Sequence, residues 1–119
     1  MNESDVVIYH NPRCSKSRQT LALIEARGIE PTVICYLDTP PSAAQVGRLM
    51  DQLGIEPHQL LRKKEAAYAK QGLTASSSRA MITEAIAASP TLLERPVVVV
   101  GELARLGRPP EQVLEILPE

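Results

Sequence analysis

The chain has 119 residues, 44% of them apolar and 23% charged, with a formal net charge of −1. That is the size of one domain with a real core and the composition of a soluble globular protein. A charge so close to zero gives no overall case for nucleic acid or a polyanionic surface.

The opening residues Met1-Asn2-Glu3-Ser4-Asp5 are polar and acidic and lack the basic and apolar regions of a signal peptide. No apolar run approaches the length of a membrane span, so a cytoplasmic location without membrane attachment is the expectation. Two cysteines in such a chain, Cys14 and Cys35, read as thiols rather than a structural disulfide. Neither Phe nor Trp is present, which leaves Leu, Ile, Val, Ala and Met to build the core.

Val6–Tyr9 reads as a short buried strand. A helix is predicted over Gln19–Arg27, carrying Leu21, Leu23 and Ile24, and Gly28 fits the position just past its end. Thr32–Leu37 is the second strand, closed by Asp38 and Pro40-Pro41. Strand, helix and strand in so short a span make a right-handed βαβ unit with parallel strands.

Ser42–Leu53 is the clearest helix, with Ser42 and Gln45 forming a capping box and Val46, Leu49, Met50 and Leu53 one apolar stripe. Short helical segments are predicted near Pro57–Leu61 and Glu65–Gln71. The serines at 76–78 then cap a helix carrying Met81, Ile82 and Ile86. Val97–Val100 is an apolar strand that turns through Gly101-Glu102 into Leu103–Leu106, a β-hairpin. Pro109-Pro110 open a last helix with Val113, Leu114 and Leu117 on one face. The order is β-α-β, a helical block, then β-β-α: a single α/β domain over residues 1–119, with the thioredoxin-like arrangement and a helical insertion between its halves.

Cys14 follows the first strand directly and precedes a helix, where unpaired backbone N–H groups and the helix dipole favour thiolate, the reactive form. Arg13, Lys16 and Arg18 are cationic, and no acid occurs from Val6 through Ile24. Such a loop suits a nucleophilic sulfur and an incoming anion. Cys35, flanked by Ile34 and Tyr36, suits a packing role better. Position 17 is Ser rather than a second Cys, so a spent Cys14 needs an outside thiol such as glutathione. Ser17 could hydrogen-bond the thiolate or cap the helix, and His10 could tune the thiol or pack. Arg62, Arg95 and Arg108 are the planar, permanently charged donors that an oxyanion calls for, although spacing alone does not bring them together. Arg95–Pro96, at the entry to the valine strand, is predicted cis, as thioredoxin-like folds enter the strand facing the reactive cysteine. The scattered Cys and His residues have no metal-ligand spacing.

The chain resembles the glutaredoxin-dependent arsenate reductase family. The resemblance rests on Ile8-Tyr9-His10-Asn11-Pro12-x-Cys14-x-x-Ser17-Arg18, on Tyr36-Leu37-x-x-Pro40-Pro41-Ser42, and on Leu61-Arg62-Lys63. It continues through Leu93-x-Arg95-Pro96-Val97-Val98-Val99 and closes with Arg108-Pro109-x-Glu111. It implies Cys14 as nucleophile, Arg62, Arg95 and Arg108 on the oxyanion, and His10, Asn11, Ser17 and Arg18 supporting the cysteine loop. It further implies arsenate as substrate, with glutathione and glutaredoxin as reductants and no bound cofactor. Nothing in the pattern requires more than a monomer. Arg13 and Lys16 beside the cysteine, and the short Val100-Gly101-Glu102 segment, are similar to the housekeeping branch of that family. Two other readings use the same fold. A monothiol glutaredoxin-like protein would share Cys-x-x-Ser but leave the three arginines unexplained. A redox regulator of the RNA-polymerase-binding type would normally carry the second cysteine that Ser17 replaces.

Overall fold

The computed structural model describes residues 6–118, so the acidic opening Met1–Asp5 lies outside the described residues. Two compact units result: one runs through Tyr36 and resumes at Arg95, and the other is Leu37–Glu94.

The first unit is built on a sheet. Strands β1 (Val6–His10), β2 (Thr32–Cys35), β3 (Val97–Val100) and β4 (Leu103–Leu106) stand in the order β2-β1-β3-β4. The β1–β2 pair is parallel, with α1 (Ser15–Ala26) as the crossover, and the other two pairs are antiparallel. Side chains alternate along β1, so Val6, Ile8 and His10 are buried on one face. Val6 and Ile8 join Val98 and Val100 from β3, Ile24 and Ile29 from α1 and its exit, and Val113, Ile116 and Leu117 in one core cluster. Leu21 and Leu114 pack against it, partly buried.

Three elements depart from the sequence reading. The first helix starts at Ser15 rather than Gln19, because Cys14 is already extended (φ −93°, ψ 123°) and its carbonyl accepts from the Arg18 N–H at 3.0 Å. Strand β2 ends at Cys35 rather than Leu37, since the chain turns at Tyr36, which is fully buried. The terminal segment Pro110–Glu115 is a 3₁₀ helix, as its tighter bonds show: Gln112 N–H to Pro109 O at 3.0 Å, and Ile116 N–H to Val113 O at 3.2 Å. Both Arg95–Pro96 and Arg108–Pro109 are cis.

The second unit is the helical block. Helix α2 (Ala43–Leu53) carries the expected capping box between Ser42 and Gln45 and ends at Gly54, whose φ of 66° is the left-handed conformation that glycine takes without a Cβ penalty. Helix α3 (Ala66–Lys70) is a single turn or so, and α4 (Arg79–Ala88) is capped by Ser78. Helix α4 buries Ile82, Thr83, Ala85 and Ile86 but leaves Met81 half exposed, so Met81 is not part of the apolar face as the sequence suggested. Arg79 ties α4 to α2 through Gly47 O at 2.8 Å and Asp51 Oδ1 at 3.0 Å. Pro57–Leu60 is a 3₁₀ turn. Beyond it, residues 60–62 run beside 92–94, joined by the Leu61–Leu93 bridge and by Arg62 N–H to Leu92 O at 2.8 Å.

The hairpin sets the positions of the two arginines of the first unit. Val97 pairs with Leu106, which brings Arg95 and Arg108 to the same end of the sheet. Gly107 lies between them in chain and space, its N–H on Pro96 O at 2.9 Å. A Cβ at Gly107 would collide with Thr20 Oγ1 and lie 2.7 Å from Pro96 Cγ. We expect Gly107→Ala to lower stability by about 1–3 kcal/mol in chemical unfolding, as overpacking does. Adding Thr20→Ala should recover only part of that loss, since the proline contact remains.

Candidate active site

Residues His10–Arg18 are folded into a frame for one sulfur atom. After β1 the chain turns at Asn11, whose carbonyl accepts from the Cys14 N–H at 3.0 Å and whose Oδ1 accepts from the Arg13 N–H at 3.0 Å. These two bonds place Cys14 at the N-cap of α1. The sulfur, rather than a capping oxygen, therefore sits where the first helical N–H groups are unpaired. Burial on its own would raise the Cys14 thiol's pKa. Hydrogen bonds from the Ser17 and Lys16 backbone N–H groups, with a bond and the charge from Arg95, outweigh that and hold it below the ordinary thiol value.

Ser17 contributes differently from the role the sequence offered it. Its backbone, not its hydroxyl, bonds the sulfur. The hydroxyl is fully buried, accepts from the Asn11 N–H at 3.0 Å, and shares a 2.6 Å hydrogen bond with His10 Nδ1. His10 is thereby a brace behind the loop rather than a partner of the thiol. Burial lowers its pKa and the Arg18 charge adds to this, only partly offset by Glu25, so the imidazole is held neutral. Arg18 also closes the turn, donating from Nη1 to Pro12 O at 2.9 Å.

Two of the three predicted arginines meet the sulfur. Arg95, just ahead of β3, hydrogen-bonds it. Arg108, just past β4, has Nη2 4.0 Å from Cys14 Sγ and donates from Nε to Arg95 O at 2.8 Å. The Arg95 Nε is buried and has no hydrogen-bond partner among the described residues, which leaves a donor for an incoming acceptor. Arg62 belongs to the Leu37–Glu94 unit, where it forms an ion pair with Glu65 at 2.9 Å. Cys35 stands across from His10 in the β1–β2 register and is half-buried. Tyr36, to which the sequence assigned no role, is fully buried one residue past β2, at the sheet end where Arg95 also lies. Its signal in the sequence was only its place near the end of the second predicted strand, Thr32–Leu37.

Thiolate, helix N-terminus and two guanidinium forks form a nucleophile inside an anion clamp. Such a group can attack the central atom of an oxyanion while arginines neutralise its oxygens.

Comparison with known proteins agrees with this geometry. Residues 9–116 match the ArsC family. The chain is 50% identical to the protein "Uncharacterized protein YfgD" of Escherichia coli K12, covering 94% of this chain and 96% of that one. It is 45% identical to an arsenate reductase of Haemophilus influenzae, covering 94% and 98%. A solved structure of an arsenate reductase from Vibrio cholerae superposes with a TM-score of 0.90 at 54% identity, covering 94% of this chain and 97% of that one. With a family match over nearly its whole length and relatives of this identity, the chain belongs to the ArsC family.

Proposed function

We propose that the protein is an arsenate reductase that works through a Cys14–arsenate adduct and is regenerated by glutathione and glutaredoxin. The observation that carries this reading is the convergence of Arg95 and Arg108 on a sulfur whose pKa is held down at a helix N-terminus. Relatives named arsenate reductase, at 45% identity over nearly the whole chain, support it.

In this reading Cys14 thiolate attacks the arsenic of arsenate, an S–As bond forms, and an arsenate oxygen leaves as water once protonated. Arg95 and Arg108 bind the remaining oxygens, with Arg62 proposed as a third arginine for the anion. Charge is thus neutralised where it would otherwise repel the thiolate. The thiol of glutathione then displaces a second oxygen as water, leaving arsenic bridged between two sulfurs. Glutaredoxin thiolate attacks the glutathione sulfur, and the electron pair of the S–As bond stays on arsenic, which becomes As(III). The oxidised product is a glutaredoxin–glutathione mixed disulfide. Water releases arsenite, and Cys14 returns as the thiol. Ser17 in place of a second cysteine is consistent with this dependence on outside thiols. His10, Asn11, Ser17 and Arg18 keep the loop in shape and do not enter the chemistry. The chain is taken to act as one domain and one monomer, in the cytoplasm.

Three results are expected from arsenate-dependent NADPH oxidation coupled through glutathione, glutaredoxin and glutathione reductase. Cys14→Ser should abolish turnover while leaving the fold intact by circular dichroism. An active Cys14→Ser variant, or an inactive wild type, would refute the reading. Arg108→Leu should raise KM for arsenate roughly 10- to 100-fold, as loss of a charge-assisted hydrogen bond does. The pH profile of kcat/KM should rise with thiolate formation, with a midpoint below that of a free cysteine, about 8.5.

A further inference from the structure

The cations around Cys14 divide into two sets. The inner set, Arg95 and Arg108, belongs to the oxyanion clamp: Arg108 Nη2 lies 4.0 Å from Cys14 Sγ, and Arg95 Nε is a buried atom. The outer set is Arg13, Lys16 and Arg18, all exposed. Arg18 is engaged, its Nη1 on Pro12 O at 2.9 Å. Arg13 and Lys16 differ from it, because among the described residues no ion pair or side-chain hydrogen bond holds either head group.

The backbones of both residues are nevertheless fixed beside the sulfur. Arg13 is bonded directly to Cys14, and its N–H donates to Asn11 Oδ1 at 3.0 Å. Lys16 is the second residue of α1, and its carbonyl accepts from the Thr20 hydroxyl at 2.8 Å. A helical Cα–Cβ bond tilts toward the N-terminus, which here is the end that Cys14 caps. No acid occurs from Val6 through Ile24, so no neighbour in the chain cancels these charges.

A compact oxyanion bonded to the sulfur is met by the inner guanidiniums and occupies them. The thiol that follows has to come from outside, since position 17 is Ser. Its sulfur must reach the same point, so any carboxylates a few bonds away fall beyond the inner clamp, where Arg13 and Lys16 lie. Glutathione, with a carboxylate at each end, is a thiol of this kind.

We propose that Arg13 and Lys16 select the reductant, their unengaged head groups pairing with the carboxylates of a small anionic thiol as its sulfur approaches Cys14. That such a thiol resolves an arsenic adduct rests on the function proposed above. The preference of Cys14 for anionic over neutral sulfur partners does not.

The test compares two disulfides without arsenate: oxidised glutathione, which carries carboxylates, and hydroxyethyl disulfide, which is neutral. In both reactions Cys14 thiolate attacks one sulfur, a new S–S bond forms, and the other half leaves as thiolate. The mixed disulfide is followed on the Cys14 peptide by mass spectrometry, apart from Cys35. A change in the fold or in the ionisation of Cys14 moves both rates together and cancels in their ratio. The double variant Arg13→Gln, Lys16→Gln should lower the ratio of oxidised glutathione to hydroxyethyl disulfide roughly 3- to 10-fold in low salt, the scale of two exposed ion pairs. The difference should fade at about 0.5 M sodium chloride, where such charges are screened. An unchanged ratio would overturn the proposal. So would an equal fall per charge in Arg27→Gln, at the far end of α1, because net charge and not place would then be the cause. In the coupled arsenate assay the double variant should raise KM for glutathione by a similar factor and leave KM for arsenate nearly unchanged. Equal rises in both would assign the two residues to the oxyanion and overturn the proposal. Were wild type to show no arsenate turnover, the reading of function would fail, and the exchange ratio would still decide the role of Arg13 and Lys16.

Discussion

A half-buried sulfur that must carry negative charge sets the terms for the first unit. Burial opposes the thiolate, so every stabilising contact has to come from groups fixed in advance: two backbone N–H groups at the start of α1 and the guanidinium of Arg95. None of these can be supplied by the loop alone. The N–H groups require Cys14 to be the N-cap, which the Asn11 turn enforces, and the guanidinium requires the hairpin to end where it does. Charge stabilisation at one atom thus depends on the register of three strands.

Support for that atom is built in layers. Directly behind the loop, Ser17 Oγ joins the Asn11 N–H to His10, and the neutral imidazole keeps a second positive charge away from the helix start. Across the sheet, Gly107 lets β4 come close enough to Thr20 and Pro96 for Arg108 to reach the sulfur. A side chain at 107 would push that strand end outward, and Arg108 with it. The core cluster under the sheet, from Ile8 and Val98 to Val113, gives these layers a rigid base. Rigidity of that kind is what preorganised electrostatics need, because the groups do not have to move when charge develops.

Much of this was legible from residues. Cys14 between an apolar strand and a helix, the arginines flanking the β3–β4 hairpin, and the serine–glutamine capping box of α2 each carry their reason in local sequence. What stayed hidden depends on contacts distant in the chain. No local rule says that Ser17 turns its hydroxyl to His10 and offers the sulfur its backbone instead; this follows from how the helix start faces β1. The burial of Tyr36 comes from the turn that ends β2 early, two residues before the apolar pattern stops. The terminal segment looked helical by periodicity, yet its prolines and short length give the tighter 3₁₀ form. Met81 shares its segment with Ile82 and Ile86, but only Ile82 and Ile86 are an i, i+4 pair; Met81 points about 100° away from Ile82 and is half exposed.

The claim on which the rest depends is that this frame lowers the Cys14 pKa below that of a free thiol. Its most direct test is a titration of ultraviolet thiolate absorbance in the wild-type protein, with the Cys14→Ser curve subtracted to remove Cys35 and the tyrosines. The account predicts a single Cys14 inflection below that of free cysteine. An inflection at or above the free-cysteine value would mean that burial wins over the N–H groups and Arg95, and the site as described would not be a nucleophile.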